Sequence, residues 1–104
     1  MSVNMIDSKI FGNAWGTDEM RDLFDEIPRT QAWLDIISVL AESQADVGLI
    51  PLEAVDEIRE LCNVKKLDLK SLRLKYDSSG HSMYGLIQEL KKLSSGIAGE
   101  WIYY

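Results

Sequence analysis

Residues 30–47, TQAWLDIISVLAESQADV, decide the fold. Trp33, Ile37, Leu40, Gln44 and Val47 recur three and four residues apart, the spacing of one helical face, and Ala32, Ile36 and Val39 widen the apolar surface. The spacing predicts a helix over 26–47, buried on most of its circumference, as the spine of the domain. Asp25 stands where it can cap the start. Pro28 falls in the first turn, where a missing N–H costs nothing. Gly48 suits the residue just past a helix end.

Outward from this spine the chain reads as all-α, with about five helices. Thr17, followed by Asp18 and Glu19, predicts a short helix over about 18–24. Pro51 opens a third, LEAVDEIRELC, with Leu52, Val55, Ile58 and Cys62 on one face. Asp68 caps a fourth, LKSLRLKY, with Leu69, Leu72 and Tyr76 inward. The turn Ser78-Ser79-Gly80 follows, then a fifth helix over about 82–94 striped by Met83, Leu86, Ile87, Leu90 and Leu93. The spine is expected to bury Trp33, Ile37 and Leu40 against Leu52, Val55, Ile58, Leu86 and Leu90. Residues 1–16 read as an irregular arm and 97–104 as irregular or extended. With short connections and no repeat, 1–104 is expected to be one helical domain.

Composition narrows the function classes. The 104 residues are 46% hydrophobic and 27% charged, with a net charge of -6. The acidic residues are spread along helix faces, and the balance argues against a nucleic-acid backbone as partner. Lys65-Lys66 and Lys91-Lys92 read as solvated helix ends. One Cys and one His leave no metal constellation, and no phosphate-binding glycine motif occurs. Cys62 reads as a small apolar helix residue, and a lone thiol fits a reducing compartment. With no leader and no apolar run long enough to cross a membrane, a cytoplasmic chain without membrane partner is the expectation.

His81, the single histidine, sits between Gly80 and the fifth helix. A helix N-terminus presents free N–H groups and a positive dipole end, which attracts anions and favours a neutral imidazole as donor or base. Ser78, Ser79 and Ser82 are either turn and cap residues or hydroxyl donors to a carboxylate or phosphate. The chain closes on Trp101-Ile102-Tyr103-Tyr104, large side chains expected to stand exposed, to continue into a parent protein and to promote self-association.

Four stretches in order, FGNAWGTDEMRDLF (11–24), RTQAWLDIISVLAESQADVGLIPLEAVDEI (29–58), SSGHSMYGLIQEL (78–90) and GEWIYY (99–104), make this chain resemble the start of a fumarase/aspartase superfamily lyase. It is most similar to the branch of adenylosuccinate lyase and 3-carboxy-cis,cis-muconate cycloisomerase. The resemblance implies an N-terminal helical domain whose residues 97–104 lead toward a missing central helical bundle. It implies a cofactor-independent, cytoplasmic homotetramer that breaks a C–N or C–O bond β to a carboxylate, releasing fumarate, or that runs the related lactonising reaction. By position, His81 corresponds to the histidine lining the substrate pocket, as a helper in acid or base chemistry. Ser79 corresponds to the hydroxyl two residues before it, and Trp15 to the aromatic member of an Arg-Tyr pair that contacts a nucleotide phosphate. Here Ala14-Trp15 replaces that pair, so the substrate is expected to be a small dicarboxylate or succinyl-type compound of unspecified identity. Ile36-Ile37 replaces a glutamate common in the second helix. The carboxylate-binding loop and the catalytic serine loop would lie beyond Tyr104, so the 104 residues alone are expected to be inactive. The alternatives are a free-standing helical interaction module and a regulatory domain with a small-ligand pocket near His81.

Overall fold

A computed structural model describes residues 3–104 of the chain. The all-α expectation holds: the described residues form six α-helices, five of them seven residues or longer, and no strand. The chain divides into two compact units, one ending at Thr30 and the other spanning Gln31–Tyr104.

The first unit is organised by a guanidinium. Two 3-10 turns, Met5–Asp7 and Gly12–Ala14, precede α1 (Asp18–Phe24). Residues 1 and 2 of the expected arm lie outside the described residues. Thr17 caps α1 as anticipated, its Oγ1 accepting from the Met20 N–H at 3.2 Å. Arg21 then reaches back along the arm, donating from Nε to the Ile6 carbonyl at 3.2 Å and from Nη2 to the Gly12 carbonyl at 2.6 Å, while Nη1 meets Asp18 at 3.0 Å. Gly12 is required for this wrapping. A Cβ there would stand 2.9 Å from the Ile6 carbonyl oxygen and 3.0 Å from Arg21 Nη2, and the former, being backbone, cannot move aside. Gly12→Ala is expected to cost about 1–3 kcal/mol of local stability, as overpacking does. Amide exchange at Trp15 should then speed up about tenfold or more.

In the second unit α2 (Glu26–Asp46, of which Gln31 onward belongs here) packs with α3 (Leu52–Leu61), α4 (Leu69–Ser79), α5 (Ser82–Leu93) and the short α6 (Ala98–Trp101). Its core joins Leu34, Ile37 and Ala41 of α2 to Val55, Ile58 and Leu61 of α3, Leu86 and Leu90 of α5, and Ala98 and Ile102. Gly48, at φ 80, ends α2 as expected. Gln31 secures the loop after α3: its Nε2 donates to the Cys62 carbonyl at 3.0 Å and its Oε1 accepts from the Val64 N–H at 2.9 Å, where residues Val64–Lys66 make a 3-10 turn.

Several expected core positions are corrected. The inward face of α2 is Leu34, Ile37 and Ala41, with Trp33 only partly buried against it, while Ile36 and Val39 face solvent. The helix is therefore not buried on most of its circumference. Leu52 is exposed, because Ala54, Val55, Ile58, Leu61 and Cys62 fill an arc of about 120° on α3 and Leu52 lies about 60° outside it. Leu69 and Tyr76 are exposed because α4 meets α5 through Ser71, Leu72 and Lys75 instead. The fourth helix also runs on through Ser78 and Ser79, so the turn shrinks to Gly80, which takes the left-handed conformation (φ 68) and donates its N–H to the Tyr76 carbonyl at 2.7 Å.

The end of the chain is helical where extended structure was expected. Glu57 of α3 explains this. Its carboxylate accepts from the Ser94 hydroxyl at 2.6 Å, the Gly96 N–H at 3.2 Å and the Ala98 N–H at 3.2 Å, an anion fitted to the start of α6. Past α6, Ile102 is buried and Trp101 partly so, and Tyr103 takes φ 56, bringing the Tyr104 ring to 5.2 Å from Trp101. Only the two tyrosines of the closing run stand exposed. Glu57→Ala is expected to cost about 1 kcal/mol, the usual loss for a helix cap, with exchange protection lost at Ile102 while Leu90 keeps its own.

Candidate functional site

The α4–α5 hairpin carries the histidine. Its two helices approach closely because α5 has a glycine where they touch: a Cβ on Gly85 would lie 2.9 Å from Lys75 Cβ. One turn further along α5, Glu89 is buried between Leu86 and Leu90, accepting from the Ser71 hydroxyl at 2.5 Å and the Lys75 ammonium at 2.6 Å. Burial pushes the Glu89 carboxyl up. The hydrogen bonds from Lys75 and Ser71 and the charge of Lys75 more than offset that, holding it below the ordinary glutamate value. This pair joins the two helices beneath the turn.

At the mouth of the hairpin, His81 is the N-cap of α5. Its backbone is extended (φ -121, ψ 121), and Nδ1 accepts from the Met83 N–H at 3.2 Å, the bond an Asn or Asp cap would make. A ring accepting at Nδ1 while neutral carries its proton on Nε2. His81 therefore presents an exposed N–H donor, and can act as a base through Nδ1 only by giving up its cap. Ser79 is joined to it: the His81 N–H donates to Ser79 Oγ at 3.2 Å. Ser78 turns away from the histidine and donates to the Lys75 carbonyl at 3.2 Å.

Ser79 and His81 are thus brought together within one turn. Trp15 belongs to the first unit, where its N–H donates to the Gly12 carbonyl at 3.0 Å and its indole is exposed. An open cleft lined by Glu57, Glu60, Leu61, Lys66, Leu93 and Ser95 includes neither His81 nor Ser79. Sequence reasoning missed Glu89, Lys75 and Ser71. The signal was present, since Glu89 interrupts the apolar stripe between Leu86 and Leu90 and Gly85 lies inside a helix. Among the described residues, no three His, Cys, Asp or Glu side chains gather as for a metal ion, and no helix is long and apolar enough to cross a membrane.

An anion meeting the Nε2–H of His81 and the positive end of α5 is the chemistry this turn supports. His81→Ala should cost about 0.5–2 kcal/mol through the lost cap, whereas His81→Asn should restore most of it, both read from thermal melts.

No family model matches the chain, and no solved structure matches it. Curated proteins do. An adenylosuccinate lyase of Methanocaldococcus jannaschii is 32% identical over 104 residues, all of this chain and 21% of that protein. An N-acetyl-S-(2-succino)cysteine lyase of Dickeya dadantii is 31% identical over 104 residues, again the whole chain and 23% of the relative. A 3-carboxy-cis,cis-muconate cycloisomerase of Pseudomonas putida is 30% identical over 91 residues, 86% of this chain and 22% of the relative. The chain thus spans less than a quarter of the length of these relatives.

Proposed function

We propose that this chain, which belongs to the fumarase/aspartase superfamily in the branch of adenylosuccinate lyase and the muconate cycloisomerase, forms one helical domain of a cofactor-independent lyase. The enzyme eliminates fumarate from a succinyl-type substrate, or runs the related cycloisomerisation, as a cytoplasmic homo-oligomer. In an elimination of this kind a base takes the Cβ proton, oriented donors hold the charge that develops on the carboxylate, and an acid protonates the leaving group. His81 serves as a donor within the substrate pocket, aimed through Nε2, with Ser79 holding its backbone and Trp15 assigned to the substrate as well.

The observation that carries this reading is similarity across the whole chain to two lyases whose names state succinyl-type compounds, and across 86% of it to a cycloisomerase. Base, carboxylate-binding loop and leaving-group acid must meet in one site. These residues offer His81 alone, so the 104-residue chain is expected to release no fumarate from adenylosuccinate or S-succinocysteine compounds, followed by fumarate's ultraviolet absorbance. Turnover above that of a His81→Ala control would refute this. In a full-length enzyme carrying this sequence, His81→Ala should lower kcat/KM about 10- to 100-fold, as for one hydrogen bond to a charged group. A full-length enzyme with no elimination or cycloisomerase activity would overturn the assignment.

A further inference from the structure

Only Gly80 and His81 link α4 to α5. Each helix holds one part of the histidine: α4 holds its backbone through Ser79, and α5 holds its ring through the Met83 N–H. The direction of Nε2 is therefore set by how the two helices stand to each other at their joined ends.

Three contacts fix that relation, about one helical turn apart on both helices. Ser79 meets His81 at the mouth. Four residues further in on each side, Lys75 meets Gly85, where a Cβ on the glycine would lie 2.9 Å from Lys75 Cβ and 3.6 Å from the Leu72 carbonyl oxygen. Four residues further again, the Ser71 hydroxyl donates to Glu89 at 2.5 Å. Lys75 ties the inner two contacts together, its stem against Gly85 and its ammonium 2.6 Å from the Glu89 carboxylate. Its carbonyl also accepts from Ser78 at 3.2 Å, in the last turn of α4 before the link. An apolar contact loses uniqueness of packing before it loses stability, whereas an ammonium on a buried carboxylate defines one register. A buried ion pair adds little net stability over apolar side chains of similar size, so what this pair contributes here is the fixing of that register. We infer that Lys75, through Glu89, is a positioning residue for His81 and sets the direction in which Nε2 presents its N–H. Its value to catalysis rests on the pocket role proposed for that histidine.

The test separates position from stability in the 104-residue chain, with the single histidine labelled and read by proton–nitrogen NMR. In the parent chain the neutral ring should give two well-separated nitrogen signals, Nε2 protonated and Nδ1 accepting. Lys75→Met with Glu89→Met should melt close to the parent chain. In that variant the two ring signals should draw together as the proton moves between the nitrogens, and exchange of the His81 amide should quicken about tenfold. Glu89→Gln, which keeps the shape and an acceptor for Ser71, should move both readings the same way and replaces the double variant if that one melts early. Glu57→Ala weakens the chain at α6, away from the link, and should leave both readings as in the parent. Unchanged ring signals and exchange in the Lys75 and Glu89 variants would overturn the proposal, since the pair would then serve stability alone. So would an equal change in Glu57→Ala, which would trace the effect to general loosening. In a full-length enzyme carrying this sequence the double variant should lower kcat/KM about tenfold, within the loss expected for His81→Ala. Loss in His81→Ala without loss in the double variant would also overturn the proposal. Loss in neither would remove His81 from the pocket, and the ring signals of the 104-residue chain would still decide whether Lys75 aims it.

Discussion

Lys75→Met is expected to destabilise the fold by about 3 kcal/mol in denaturant melts, the lower end for removing one partner of a buried ion pair. The physical reason is that Glu89, 3% exposed, would lose its ion-pair partner and be left with the Ser71 hydroxyl and the field of Lys92. The lower end applies because 31% of the Lys75 side chain remains in solvent. Replacing both partners, Lys75→Met with Glu89→Met, should restore most of the loss, since two apolar chains of similar length can fill the α4–α5 contact. A single variant within about 0.5 kcal/mol of the parent chain, the size of an ordinary surface change, would show that the pair does not join the hairpin. The same pair sets a pH dependence. The folded Glu89 carboxyl lies below its ordinary value, and so does Glu57, held down by the Ser94 hydroxyl and the backbone N–H groups of Ala98, Gly96 and Ser95 against a smaller effect of burial. A carboxyl with a depressed folded pKa binds fewer protons folded than unfolded. Its stabilisation is complete above the unfolded value of about 4.3. It disappears as pH falls from there through the folded value. Acid melts should therefore show a loss of stability that is smaller in Glu57→Gln and smaller again when Glu89→Met is added to Lys75→Met.

Leu34→Ala should be the other large loss, about 3–5 kcal/mol, the range for emptying a fully buried leucine site whose walls relax only in part. Leu34 has no exposed surface and lies among Ile58, Leu86 and Leu90, side chains buried as deeply on two other helices. Trp33→Ala, which the sequence alone would rank highest, should cost less than Leu34→Ala because the indole is only partly buried. The two variants side by side in the same melt decide which face of α2 is inward. A larger loss at Trp33 would turn the helix by about 100°, one residue's rotation.

How far the site was legible follows from the distance over which each signal acts. His81 at the head of a helix, Ser79 two residues before it and Gly80 between them form a local pattern, and the Ser79–His81 and His81–Met83 hydrogen bonds span two residues each. The Ser71–Glu89 and Lys75–Glu89 bonds span 18 and 14 residues. A carboxylate inside an apolar stripe announces a buried partner without saying which one. The Glu57 cap on residues 94–98 spans up to 41 residues, and for that reason GEWIYY reads as extended in isolation and closes with a helix in place.

What the sequence determined by itself is what acts within a turn or two of backbone. Thr17 and Asp68 as caps, Gly48 just past the end of α2, the bounds of α1 and the all-α class follow from local sterics and hydrogen bonding. What only the tertiary structure decided is which face of each amphipathic segment turns inward. Residues 32–41 of α2 offer apolar side chains almost all round, so periodicity is satisfied equally by a face of Trp33, Ile37 and Leu40 and by one of Leu34, Ile37 and Ala41. The choice falls to close packing, in which Leu34, Ile37 and Ala41 join Val55, Ile58, Leu86 and Leu90 in one buried cluster and the indole of Trp33 packs at its edge. Ile36 and Val39 are left outside as the consequence.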